Sequence, residues 1–318
     1  MNASKQLLMT DNRYISLIST LENAIKTCDA DLLEKYPVDE YITYLEQYPT
    51  YAGYKYCSDE VERFCNIIES NGDKEVMETY HKLLLIRLVH KNRNKFKQLM
   101  LPEEIKSDYR KDFNRIVSQV ENRQSPKGYF LYKNDRFYKD LAICSLRLFP
   151  VGARKYELTI FPIKRFMRKG WRQFAKLLIY LAFETRGLAP FLTGHYDTDD
   201  PGFMKEFNLE DFIHAYRTIA EVMKLNPGIK GYYGINWLND PQIERISPHL
   251  AYIRYMNIAC GCRYFCLGAN ASTIKNATMK SPSRRKLYHD GKYFPENYAF
   301  AFSRKRLIDW ADQRSWHW

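Results

Sequence analysis

Residues 163–172 read Ile-Lys-Arg-Phe-Met-Arg-Lys-Gly-Trp-Arg. Lys164, Arg165, Arg168, Lys169 and Arg172 crowd positive charge around Gly170, whose missing side chain would let a ligand come close to the backbone. The run falls between an expected strand and an expected helix. A helix N-terminus there offers unpaired amides and the positive end of the helix dipole, so the chemistry it suits is phosphate binding. An exposed basic loop has the same residue types, and both readings stand on sequence alone.

A second cluster is Thr193-Gly194-His195-Tyr196-Asp197-Thr198-Asp199-Asp200, after a short apolar run. His195 and Asp197 are candidates for a proton-transferring pair, because histidine titrates nearest neutrality. His195-x-Asp197 with His249 or His289 also has the composition of a two-histidine, one-carboxylate Fe(II) site, hence an oxygenase as an alternative. The strands such a fold needs are not expected, and a loop cap is the plainer reading. A third cluster follows residues 231–235 and holds Trp237, Asp240 and Arg254; Arg254 could grip a carboxylate or phosphate with two N–H groups. A fourth, 281–293, puts Ser281 and Pro282 ahead of Arg284 and Arg285, a pattern that serves either an oxyanion clamp or a helix start. Cys260, Cys262 and Cys266 lack a second ligand pair at zinc spacing, so no metal is expected. The Walker, dinucleotide-glycine and nucleophile-elbow patterns are missing.

Charge is unevenly spread. Residues 151–176 hold eight Lys or Arg against one Asp or Glu, and 263–318 hold eleven against four, while the whole chain carries +12. The excess of the two segments, +14, exceeds the total, which suggests a surface that attracts an anionic, phosphate-bearing small molecule. A nucleic-acid-binding or non-catalytic ligand-binding protein is the alternative, since a pI near 9.2 and 25 Tyr permit backbone contact and stacking. The longest apolar stretch, 177–183, is far short of a membrane span, and the first residues lack a secretory pattern. Seven scattered Cys fit reduced thiols and a cytoplasmic setting.

These residues need elements to position them. Apolar periodicity predicts helices at 11–27, 38–48, 58–70, 74–100 and 103–121, and Pro126 and Gly128 then punctuate the chain. Strands are expected at 128–133, 141–149, 156–161, 190–195, 229–235, 262–267 and 298–303, and helices at 170–184, 209–224 and 305–313. The class is α+β: a helical region, 1–125, and a mixed α/β domain, 126–318.

Two resemblances follow. Gly231-Tyr-Tyr-Gly-Ile-Asn-Trp237, Asp240-Pro241, 246–254 and 281–288 resemble a family of bacterial proteins of unassigned activity. The order of helices, three strands, basic glycine-containing loop, helix, strand, helix, strand resembles the GNAT N-acyltransferase superfamily. That resemblance implies a GNAT-like domain that uses acyl-CoA or another acyl thioester, with its pyrophosphate on Arg168-Lys169-Gly170-Trp171-Arg172. It also implies a base at His195 or Asp197, a Tyr216 general acid, and an amine or hydroxyl acceptor near Trp237, Asp240 and Arg254. Arg172 departs from the superfamily pattern, which has a small residue there; its side chain could bind phosphate instead.

Overall fold

The computed structural model describes residues 11–49, 51–71, 74–122, 125–196 and 207–313. The chain is α+β and divides into two compact units, Met1–Glu157 and Leu158–Trp318. The division comes later than the 125/126 expected from sequence, because the bonds of the intervening segment run to the helices before it.

In the first unit, α1 (Asp11–Cys28), α2 (Val38–Glu46), α3 (Asp59–Asn71), α4 (Lys74–Asn92) and α5 (Glu103–Glu121) stand where periodicity puts five helices. In α4, Leu83, Leu84, Leu85, Ile86, Leu88 and Val89 are all buried. Over these turns the helix is buried on most sides, with Arg87 paired to Glu22 and Asp39, so α4 is the axis of this unit.

Two expected strands are absent here. Residues 128–133 form turns whose polar backbone is held by side chains. Gly128 N donates to Glu78 Oε1 at 2.9 Å, Tyr132 N donates to Glu69 Oε1 at 3.0 Å, and His81 Nδ1 hydrogen-bonds the Phe130 carbonyl. With those groups satisfied, no strand partner is required. The first four residues of 141–149 close helix α6 (Asp135–Cys144), started by Asn134, whose side chain accepts from the amides of Arg136 and Phe137, and only the last two enter a strand. Only then do β1 (Leu148–Val151) and β2 (Arg154–Thr159) pair as an antiparallel hairpin. Ion pairs fasten these pieces to α5, the first of them buried. Lys155 Nζ lies 2.9 Å from Asp112 Oδ2, and Asp140 accepts from Arg115 Nη2 at 2.6 Å and from the Tyr129 hydroxyl at 2.6 Å.

The second unit contains α7 (Trp171–Ile179), prolonged by a π turn over Tyr180–Glu184, then β3 (Phe191–Tyr196), α8 (Leu209–Leu225), β4 (Gly231–Asn236) and α9 (Ala251–Ala259). After these come β5 (Arg263–Gly268), α10 (Ala271–Thr278), α11 (Pro282–His289), β6 (Asn297–Ser303) and α12 (Arg304–Ala311). β3 and β4 are parallel, joined through α8, and β6 runs antiparallel between β4 and β5. Alternation along β4 sends neighbouring tyrosines to opposite faces. Tyr233 joins Phe161, Phe166, Phe191 and Phe265 beneath Leu177, Tyr180 and Leu181. Tyr232 meets Tyr216 of α8 and stacks on Phe302. Gly231 has to be glycine: a Cβ there would lie 2.2 Å from the Phe302 carbonyl oxygen.

Candidate functional site

The basic run folds into two 3-10 turns, Ile163–Arg165 and Met167–Lys169, hinged at Phe166. Phe166 is fully buried against Phe161 and Phe265, and it pins the loop to the core. Lys164, Arg165, Lys169 and Arg172 stay exposed around it, and Arg168 occupies the second turn. Gly170 has φ 92° and ψ 152°, a backbone that disfavours any side chain, and the space where a Cβ would sit is open for 4 Å. No side chain caps α7. Its first helical bond runs from Phe174 N to Gly170 O at 3.2 Å, so the amides of the first turn precede the intrahelical ladder.

The loop is anchored to β5. The Gln173 amide pairs with both backbone groups of Cys266, donating to its oxygen at 2.8 Å and accepting from its nitrogen at 2.9 Å. The Lys169 side chain lies over Gly268, close enough that a Cβ there would clash with it. Nothing in the sequence signals the Gln173 clamp, since it depends on which strand ends at the sheet edge.

His195 stands near the carboxyl end of β3, half-buried, two residues past the Thr193–Tyr233 pairing. Asp197 lies outside the described residues, so the His195–Asp197 pair and the iron set built on it are not described. Among the described residues no three His, Cys, Asp or Glu side chains converge as a metal site would need. Burial pushes the Cys262 thiol up to about 12, far from a thiolate nucleophile at neutral pH.

Tyr216 is 2% exposed. Its hydroxyl donates to Asn257 Oδ1 at 2.7 Å, and Asn257 Nδ2 donates to Asn239 Oδ1 at 2.8 Å, an oxygen that also accepts from the Tyr264 hydroxyl. A phenol held this way ties α8 to α9 and the turn after β4, which accounts for it structurally. Tyr216→Phe is expected to cost about 1–2 kcal/mol, because it leaves buried Asn257 short of a donor; chemical denaturation measures this.

The other expected ligand contacts have protein partners. Arg254 donates to the Asn239 carbonyl at 2.9 Å and to Glu244 at 3.2 Å, and its guanidinium lies 4.7 Å from the Tyr264 ring centroid. Asp240 is 1% exposed and accepts from the amides of Gln242 and Glu296; burial raises its pKa. Arg284 donates to the Ala277 carbonyl at 2.6 Å and to Ser247 Oγ at 3.0 Å, over the Trp237 ring. Arg285 donates to the Met279 carbonyl at 2.7 Å. Both arginines thus serve the C-terminal carbonyls of α10, where cations complement a helix end. The Lys169 side chain, by contrast, reaches Gly268, ahead of the start of α10. Sequence reading missed α10 itself, although Asn270 and Thr273 form a reciprocal capping box that marks its start.

No protein-family model and no curated protein matches the chain. Among solved structures it is similar to an acyltransferase in complex with decanoyl-CoA and teicoplanin, with TM-score 0.46, 11% identity, and coverage of 94% of this chain and 90% of that one. It is similar to an acyltransferase variant in complex with octanoyl-CoA, at 0.45, 11%, 94% and 90%. A third is an acyltransferase in complex with decanoyl-CoA, at 0.41, 9%, 90% and 98%. Likeness this low carries no argument about chemistry.

Proposed function

We propose that this chain is an acyltransferase-like enzyme that holds the phosphates of an acyl thioester such as acyl-CoA at the N-terminus of α7. The observation that carries the reading is Gly170: an open, left-handed backbone position at an uncapped helix start, set among exposed Lys164, Arg165, Lys169 and Arg172. Backbone amides and the helix dipole favour the pyrophosphate, and the side chains add charge-assisted bonds. Arg172, two residues after the glycine, has its guanidinium 5.7 Å from the Trp171 ring centroid, and among the described residues no atom beyond the chain neighbours lies within 4 Å of where a Gly170 side chain would start.

In the transfer, an amine or hydroxyl of the acceptor attacks the thioester carbonyl. The acceptor's heteroatom–carbon bond forms, the carbon–sulfur bond breaks, and the sulfur leaves as thiolate, which takes up a proton from solvent. The acceptor's proton goes to a base, for which His195 is proposed, because ligands of parallel α/β units gather at the carboxyl ends of strands. Acetyl-CoA supplied with amine and alcohol acceptors should release free thiol in step with acylated acceptor. A folded His195→Ala variant should be slower by about a hundredfold. Undiminished turnover in that variant would remove His195 from the chemistry.

A further inference from the structure

Residues 158–183 hold six Lys or Arg and no Asp or Glu. Within this stretch α7 is apolar on two sides. Phe174, Leu177 and Leu181 face the core. The opposite side is bare: Trp171 and Phe183 are each 76% exposed, Ile179 58% and Leu178 45%. Trp171, Leu178 and Ile179 lie two turns apart and share one face. An α-helix would carry Phe183 about a third of a turn off that stripe. The π turn, closed by Thr185 N to Tyr180 O at 3.2 Å, advances less per residue and returns Phe183 towards it.

Cations border the stripe. Arg172 and Lys176 are exposed along its edge, and Lys164 and Arg165 are exposed on the preceding loop beside exposed Ile160 and Met167. The first acid after the run, Glu184, is already taken by Arg263 at 2.6 Å and Arg306 at 2.8 Å, so it does not neutralise the patch.

We propose that α7 docks on an anionic lipid surface, lying in the interface with Trp171, Leu178, Ile179 and Phe183 among the acyl chains and its flanking cations against lipid phosphates. Aromatic and aliphatic residues on one helical face, edged by Lys and Arg, are what such an interface selects. No helix of the described residues is long and apolar enough to cross a membrane, so the contact is peripheral. A nucleic acid fits less well, because Leu178, Ile179, Ile160 and Met167 offer bases no ring to stack on. The inference does not rest on the acyltransferase reading: the two share the cations Lys164, Arg165 and Arg172, but the apolar stripe of α7 plays no part in holding CoA.

The test is flotation of the full chain with phosphatidylcholine vesicles, with and without about one third phosphatidylglycerol. The chain should float with the mixed vesicles only, and less as salt rises. Trp171→Ser with Phe183→Ser should weaken flotation at least about tenfold, as should Leu178→Ser with Ile179→Ser. Melting temperature should be unchanged in both, and CoA affinity unchanged in Leu178→Ser with Ile179→Ser, whose positions lie beyond the first turn of α7; this separates the outcome from failure of the functional reading. The proposal is overturned by no flotation with mixed vesicles, by equal flotation with neutral ones, or by variants that float like the parent. It is also overturned if the variants lose only self-association or oligonucleotide binding.

Discussion

Asp112→Ala is expected to destabilise the protein by about 3–5 kcal/mol. Lys155 is 6% exposed and Asp112 8%. Removing the carboxylate leaves the Lys155 ammonium buried with, among the described residues, the Gly152 carbonyl, 3.3 Å away, to receive its protons. Burial alone would raise the Asp112 pKa, but Lys155 and Arg115 outweigh it and hold the carboxyl below its ordinary value. Its contribution is therefore complete above the pKa of the unfolded carboxylate and is lost as pH falls through the folded one. Urea denaturation followed by circular dichroism reads the loss. Adding Lys155→Met should recover much of it, because the stranded charge is gone. A double variant no more stable than the single one would show that the ion pair is not the cause.

His81 should make the same unit sensitive to milder acid. It is fully buried in α4, among the rings of Tyr41, Tyr80 and Phe137. Burial pushes its pKa from 6.5 down to about 4, with the Phe130 carbonyl acting in the opposite direction. The folded protein needs the neutral ring. Stability is intact above pH 6.5 and falls between 6.5 and 4 by about 3 kcal/mol in all, a window above that of Asp112. Urea midpoints at neutral pH and near the lower end of that window should differ accordingly. In His81→Phe the difference should shrink although the starting stability is lower, since Phe130 loses its partner. A variant with undiminished acid sensitivity would place the proton elsewhere.

How much of this was legible depended on whether local pattern or distant partners decided each element. The five helices of the first unit, α8, and strands β3 to β6 follow apolar periodicity closely, because each buries one face or is wholly enclosed. Residues 128–133 alternate like a strand, yet Glu69, Glu78 and His81 bind their backbone, and no local rule names those partners. In 141–149 the apolar run joins the end of a helix to the start of β1, and the helix start, Asn134, is a readable cap. Ser281 followed by Pro282 leaves an oxyanion clamp and a helix start open in the sequence; a helix does start there, and the Ser281 hydroxyl accepts from Arg284 N. The arginines after it were legible as cations but not as partners of α10 carbonyls, because α10 went unseen. Gly170 between strand and helix was legible as a position; its conformation and the Gln173 clamp that holds it were not.

The most direct test of the central claim is calorimetric titration of CoA into the full chain and three variants. Gly170→Val fills the open backbone position, Lys169→Glu with Arg172→Glu reverses charge around it, and Lys292→Glu with Lys305→Glu makes the same charge change at exposed positions elsewhere. The account predicts saturable binding by the parent, loss of about tenfold or more in the first two variants, and little change in the third, since each charge-assisted phosphate bond contributes about 1.5–3 kcal/mol. Absence of saturable CoA binding, or equal losses in all three variants, would contradict it.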